Sequence, residues 1–361
     1  MNEAPSAPGA LLRSRVRPSR EPPCYAALDL GTNNCRLLIA TPHEHGFRVV
    51  EAYSRIVRLG EGLTQSGRLG EPAMERALAA LKVSAEKVRR RKVVRLRAIA
   101  TQACRIADNG EEFIARVERE TGIRLQIITP QEEARLSVAG CVGLLDRSRE
   151  AALVVDVGGG STEMSWLDLK AAKGQGGPPP MQSWLSIPIG VVTLAERFPE
   201  GEAAGEGWFR AMVDAVKSEI AAFRRADQLK PVFERDGAHL IGTSGAITSL
   251  AGLHLNLPRY DRSRVDGIWM SRQECEAAAV RLLGLKPHER AAQPCIGPDR
   301  ADLVLGGAAI LQAVQELWPC SRVRVADRGL REGILLSLMG RRGGRRRRRG
   351  GRSRAAEAAP A

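Results

Sequence analysis

No apolar run in this chain approaches the roughly 18–20 residues of a membrane span, which excludes a spanning helix. A secretory leader is missing too: between polar, proline and arginine residues the N-terminus offers only Leu11 and Leu12 as an apolar core. There is no C-x-x-C pair, and the seven cysteines (24, 35, 104, 141, 275, 295, 320) are odd in number and scattered. That distribution fits neither a disulfide frame nor a zinc site, and a reducing cytoplasm accounts for it most simply. There is no solenoid-type repeat. Nor is the body of the chain strongly basic, although the formal charge is +14. Residues 341–361 hold nine Arg and one Glu, for +8, and residues 1–23 hold four Arg and two Glu, for +2. About +4 remains on everything between. Any nucleic-acid contact therefore rests on the arginine-rich tail at 341–361, expected to be disordered and either to attract polyanions non-specifically or to act as a solvated solubility or localisation tail.

What the chain does contain is 361 residues, 43% of them hydrophobic, enough for two lobes with their own cores. The most informative stretch is 153–166. Leu153, Val154 and Val155 run into Asp156; Gly158, Gly159, Gly160, Ser161, Thr162 and Glu163 follow before a second apolar run. The flanks read as two buried strands, and the glycines as a tight turn using the positive φ that glycine tolerates. Bare backbone N–H groups in such a turn can close on an anion as a nest. Asp156 and Glu163 would then flank the turn, one on each strand end, an arrangement suited to a phosphate with its divalent cation. The alternative is a glycine-rich β-turn with two solvated acids. Near the N-terminus the pattern recurs: Asp29, Gly31, Thr32, Asn33 and Asn34 between two apolar runs. Two D-x-G hairpins about a domain's length apart imply two similarly built lobes with phosphate held between them.

Residues 1–22 read as a flexible leader, 23–147 as lobe I and 148–340 as lobe II, with the last helix free to pack back on lobe I. Helical spacing spans 71–92, ending in a charge run that complements the helix dipole. A strand over 93–100 ends in Thr101, with Arg105 just beyond. Asn109 with Glu112 is expected to cap a helix closed by Gly122. After a strand over 123–128, Thr129, Pro130 and Glu132 make a capping box, which gives Glu132 a local role in its own helix. Glu133 is left over on the first turn, at the strand-end edge where ligands sit in open α/β sheets. In lobe II, residues 173–180 form a glycine- and proline-rich surface loop, and an amphipathic helix covers about 206–228. Gly242, Thr243, Ser244 and Gly245 make a third strand–turn–helix corner of the phosphate-binding kind. Ser271 and Glu274 form another capping box, 301–318 a buried helix, 322–326 the last strand, and 327–333 a turn into the final helix.

Taken together, these residues resemble the exopolyphosphatase / guanosine pentaphosphate phosphohydrolase (Ppx/GppA) family, part of the actin-like superfamily shared with sugar kinases and heat-shock chaperone ATPases. The resemblance spans about 24–340 and is carried, in order, by D-L-G-T-N-N at 29–34, A-T-Q-A-C-R at 100–105, E-E-A-R-L at 132–136, D-V-G-G-G-S-T-E at 156–163, G-T-S-G at 242–245 and D-R-G-L-R-E-G at 327–333. It implies an α/β protein with two ribonuclease-H-like lobes around a central cleft, in a short form without the long C-terminal helical domain. It also implies dependence on Mg²⁺ or Mn²⁺, hydrolysis of terminal phosphoryl groups from polyphosphate or pppGpp, and compatibility with a homodimer. By position, Glu133 matches the acid that activates water. Asp156 and Glu163 match metal-associated carboxylates, with Asp29 opposite. Thr32, Asn33, Arg105, Gly158, Gly159, Gly160, Ser161 and Thr162 match phosphate-contacting positions. Gly242, Thr243, Ser244 and Gly245 occupy the nucleotide-motif place. Thr129-Pro130 departs from the Ser-Gly of many members, implying a preserved helix start with a stiffer approach to Glu133. Arg55 and Arg58 either continue a basic track for a longer chain or are ordinary surface arginines. A (p)ppGpp or polyphosphate sensor with little turnover and an actin-like ATPase or kinase are the rival readings.

Overall fold

The computed structural model describes residues 22–44, 46–172, 178–202, 204–221 and 230–340. The tail at 341–361, nearly all of the leader and the end of the helix expected over 206–228 lie outside them.

Apolar alternation and short turns at the start of each lobe build antiparallel hairpins, and helical crossovers add parallel strands. The first sheet comprises β1 (Tyr25–Leu30), β2 (Asn34–His43), β3 (Gly46–Ile56), β4 (Arg95–Ala100) and β5 (Leu125–Ile127), in the order β3-β2-β1-β4-β5. β1, β2 and β3 are antiparallel, while β4 and β5 run parallel to β1. The second comprises β6 (Ala151–Val157), β7 (Thr162–Asp168), β8 (Met181–Ile187), β9 (Ala238–Thr243), β10 (Trp269–Ser271) and β11 (Arg322–Ala326), in the order β10-β11-β9-β6-β7-β8. Without the short β10 the two sheets share one order and one set of strand directions. The recurring hairpins do open two similarly built lobes, in the paired ribonuclease-H-like architecture that the family resemblance implies.

One face of the first sheet packs Leu28, Leu37 and Ile39 against the Glu71–Arg90 and Gly110–Thr121 helices through Leu78, Leu81 and Phe113. Its other face, with Tyr25, Ala27 and Leu38, is covered by Ile334, Leu335 and Leu338 of the last helix, Leu330–Gly340. Reciprocally, Val138 and Cys141 of the Pro130–Cys141 helix, which follows the first sheet, pack on Val154 and Ile241 of the second. The two exchanged helices cross at glycines. A Cβ on Gly140 would overlap the Gly329 carbonyl, and one on Gly333 would overlap the Leu136 carbonyl. Among the described residues no helix is long and apolar enough to cross a membrane.

Local signals resolved unevenly. The capping box at Ser271 forms in both directions, with Glu274 N donating to Ser271 Oγ at 3.1 Å and Ser271 N to Glu274 Oε2 at 2.7 Å. The box at Thr129 is half formed. Thr129 Oγ1 accepts from Glu132 N at 3.2 Å, but the Glu132 carboxylate turns to Arg97 instead of its own helix start. A cation on the neighbouring strand offers that carboxylate more than a backbone amide does. Asn109 stands at its N-cap position without capping. Its amide pairs with Leu69 in both directions, at 2.8 and 3.0 Å, tying down the loop before the Glu71–Arg90 helix. Lys87, Arg90 and Arg91 converge on Glu51 of β3, so the charge run at that helix end anchors the helix to its sheet.

Candidate active site

The two hairpin turns meet face to face, and the glycines are there for that reason. None of Gly158, Gly159 and Gly160 has positive φ, so the backbone freedom expected of them is not what the turn uses. A Cβ on Gly159 would stand 3.1 Å from Asn33 N and Thr32 Cβ. One on Gly160 would overlap Gln102 Oε1 and stand 2.9 Å from Thr32 Oγ1. Glycine lets the two lobes touch. The second turn is closed by Gly158 N donating to Ser161 O at 2.9 Å, and the first by Gly31 N donating to Asn34 O at 2.8 Å. Among the described residues, the N–H groups of Gly159 and Gly160 donate to no protein acceptor, which leaves them for an anion.

Below the turns, strand register sets the acids. Asp156 lies directly opposite Glu163 across β6 and β7, and Asp29 lies opposite Arg36 across β1 and β2. The same place in the repeated hairpin thus carries a second acid in one lobe and a guanidinium in the other. Asp29, Glu133, Asp156 and Glu163 all line one cleft with Thr32, Asn33, Gly158, Gly159, Gly160 and Ser161. Burial pushes the Asp29 carboxyl up to about 6, against the pull of Arg36 and Arg331. Glu163 is pushed up to about 7 by burial and then by Asp156. Burial also raises Asp156, whose Oδ2 accepts the Ser137 hydroxyl. Burial followed by Glu163 raises Glu133 well above the ordinary carboxylate range, with Arg105 opposing. Buried acids that raise one another's pKa are resolved by a cation. Among the described residues no group of three His, Cys, Asp or Glu side chains forms a ready cage for one. Magnesium needs no such cage, because it is held by one or two carboxylates and completed by water and phosphate. Asp29 Oδ1, buried and without a hydrogen-bond partner, is a carboxylate oxygen of the kind that ion takes.

Other expected residues are placed differently. Thr162 is fully buried and donates to Ile189 O at 2.7 Å, away from the cleft. Gly242 is a packing glycine, with Ile247 Cδ1 2.8 Å from where its Cβ would be, and it does not line the cleft. Thr243, Ser244 and Gly245 do line it. Of these, Thr243 Oγ1 donates to Arg328 O at 2.9 Å, and Ser244 Oγ caps the Gly245–His254 helix by accepting from Ile247 N at 2.9 Å. Arg105 stands behind Glu133, donating to its Oε2 at 3.2 Å and to Ile128 O at 2.8 Å, and is not part of the cleft wall. Arg58 bridges the lobes to Asp302 at 3.0 Å, and Arg55 lies on β3 opposite Cys35.

Arg36, Gln102, Arg300 and Arg331 also line the cleft, among residues to which the sequence assigned no role there. Arg36 was findable, since it follows Asp29 at the spacing by which Glu163 follows Asp156. Arg300 carries no motif. The loop next to it is tied down by buried Arg290, whose Nε donates to Ala301 O at 3.1 Å. A Cβ on Gly245 would stand 3.5 Å from Arg36 Nη2 and 3.6 Å from Arg300 Cζ, so guanidinium groups from the two lobes converge there.

Comparison with known proteins places the chain in a family. A model of the Ppx/GppA phosphatase family matches residues 38–342. Exopolyphosphatase 2 of Mycobacterium tuberculosis is 30% identical over 334 residues, spanning 87% of this chain and 98% of that protein. The crystal structure of the Aquifex aeolicus Ppx/GppA family member superposes with a TM-score of 0.72 at 28% identity, covering 89% of this chain and 98% of that one. An exopolyphosphatase from Cytophaga hutchinsonii shares the fold, with a TM-score of 0.77 at 24% identity over 88% of this chain and 98% of its own.

Proposed function

We propose that this chain, which belongs to the Ppx/GppA phosphatase family, hydrolyses the terminal phosphoryl group of inorganic polyphosphate, of pppGpp, or of both. The observation that carries the reading is Glu133: a buried acid on the wall of a cleft where two glycine-edged turns meet, with Arg105 fixing its carboxylate from behind. Phosphoryl transfer to water needs a held nucleophile, charge neutralisation on the transferred group and an in-line approach. The free N–H groups of Gly159 and Gly160 supply donors to the phosphate end, and Arg36 and Arg300 supply guanidinium forks from both lobes. Glu133 accepts a proton from water as its oxygen attacks phosphorus. Burial, which raises its pKa, makes it a stronger proton acceptor than a solvated carboxylate. Asp156 and Glu163, with Asp29 across the cleft, would hold Mg²⁺ or Mn²⁺, which when bound neutralises charge on the phosphate oxygens. The seven unpaired thiols accord with a reducing cytoplasm as the place of the reaction.

The test is release of orthophosphate from long-chain polyphosphate and from pppGpp with Mg²⁺, without a nucleotide cofactor or an acceptor, reported as kcat/KM for each. Turnover of either supports the reading, and the ratio assigns the substrate. Tight binding of ppGpp without phosphate release from either compound would replace it with a sensor. Phosphate transfer only in the presence of an acceptor would replace it with a kinase.

A further inference from the structure

Among the described residues, four buried side-chain oxygens have no hydrogen-bond partner and belong to residues that line this cleft: Asp29 Oδ1, Asn33 Oδ1, Asn34 Oδ1 and Gln102 Oε1. Phosphate oxygens are themselves acceptors and cannot satisfy them. A bound cation would account for Asp29. Gln102 has a different setting. It is 7% exposed and lies on the short Gln102–Ile106 helix that also carries Arg105, the partner of Glu133. Its Oε1 lies so close to Gly160 that no side chain fits between them. The carbonyl is therefore fixed between the turn that faces the phosphate and the element that aims the base. A buried carbonyl left unpartnered destabilises the fold, and the donor that relieves it should belong to the reaction.

We propose that Gln102 is a further catalytic residue, accepting through Oε1 the O–H of the attacking water that does not point at Glu133. This assignment rests on the hydrolytic reading of the same cleft. Water has two protons. Glu133 takes one as the oxygen–phosphorus bond forms and the bridging phosphorus–oxygen bond breaks. The bridging oxygen leaves on the shortened chain with the electron pair of that bond, and the second proton stays on the product orthophosphate. Two acceptors at a fixed angle orient the water's lone pair toward phosphorus, where one would leave it free to rotate. A neutral amide suits this better than it suits magnesium, which selects carboxylates and water.

The experiment uses the full chain with Gln102→Met, which keeps the volume and removes the acceptor, and Gln102→Ala as a second variant. We expect kcat on the better of polyphosphate and pppGpp to fall about ten- to a hundredfold, with KM and the Mg²⁺ midpoint changed less than about threefold. The shift in Tm on adding Mg²⁺ should stay at the wild-type value, a readout independent of turnover. Undiminished kcat in both variants overturns the assignment. So does a loss confined to KM, which would make the amide a phosphate donor, or a raised Mg²⁺ midpoint, which would make it a cation ligand. Absence of turnover by the wild-type chain overturns the hydrolytic reading and this assignment together, whereas a normal wild type beside normal variants overturns the assignment alone.

Discussion

The Arg105 guanidinium stands behind Glu133, 3.2 Å from Oε2, and is itself held by Ile128 O at 2.8 Å. Burial raises the pKa of Glu133 and Arg105 pulls it down, so the pair bears on the protonation of the proposed base as well as on its direction. Replacing Arg105 by Met should let that pKa rise further. A base works only when deprotonated, so the acidic limb of the kcat–pH profile should move to higher pH. An unmoved limb in the variant would show that the pair only fixes geometry.

Glu133→Gln preserves shape and removes the base. Its kcat should fall roughly 10²–10⁴-fold with KM largely unchanged. Near-normal turnover would remove Glu133 from the chemistry.

Ser137 lies one helical turn beyond Glu133 and donates its buried hydroxyl to Asp156 Oδ2. We expect it to position a carboxylate that would hold the metal, by occupying Oδ2. Ser137→Ala should weaken Mg²⁺ binding about tenfold, read by titration calorimetry without substrate, and Ser137→Thr should restore most of it. Equal Mg²⁺ affinity in wild type and Ser137→Ala would refute the role.

Glu163 and Asp29 are held at about 7 and about 6, above their ordinary 4.5 and 3.8. The folded state therefore binds their protons more tightly than the unfolded chain does. Their cost to the metal-free fold is absent below about pH 4, grows as pH rises and is complete above about pH 7. His239, held down at about 4 by burial, works in the opposite sense over about pH 4 to 6.5. A comparison of variants removes that background. In EDTA, the Tm gain of Glu163→Gln over wild type should be larger near pH 7.5 than near pH 5. A gain independent of pH would contradict the buried, proton-binding Glu163.

The crossing of the two exchanged helices leaves no room for a methyl group at Gly333, whose Cβ would overlap the Leu136 carbonyl backbone. Gly333→Ala should cost about 1–3 kcal/mol, read as a lower denaturant midpoint. Gly201→Ala, where nothing lies within 4 Å of the added Cβ, should be nearly neutral and serves as the control.

Periodicity and glycine placement alone determined two lobes, each opening on an Asp-glycine hairpin, because strand alternation and turn chemistry are local properties. The same locality marked Asp29, Asp156 and Glu163 beside their turns and left Glu133 without a structural role, and the family resemblance joined them into one site. Locality also misled: the triple glycine looked like a turn needing positive φ, whereas what demands it is the opposite lobe at Thr32, Asn33 and Gln102. Glu132 looked like a helix cap until Arg97 on β4 came within reach. Arg105 was expected at the phosphate and instead braces Glu133, while Arg300 enters from a loop without a motif. Which side chains meet across the cleft is decided by packing between segments a hundred or more residues apart. No window of sequence contains that distance, and only the folded chain supplies it.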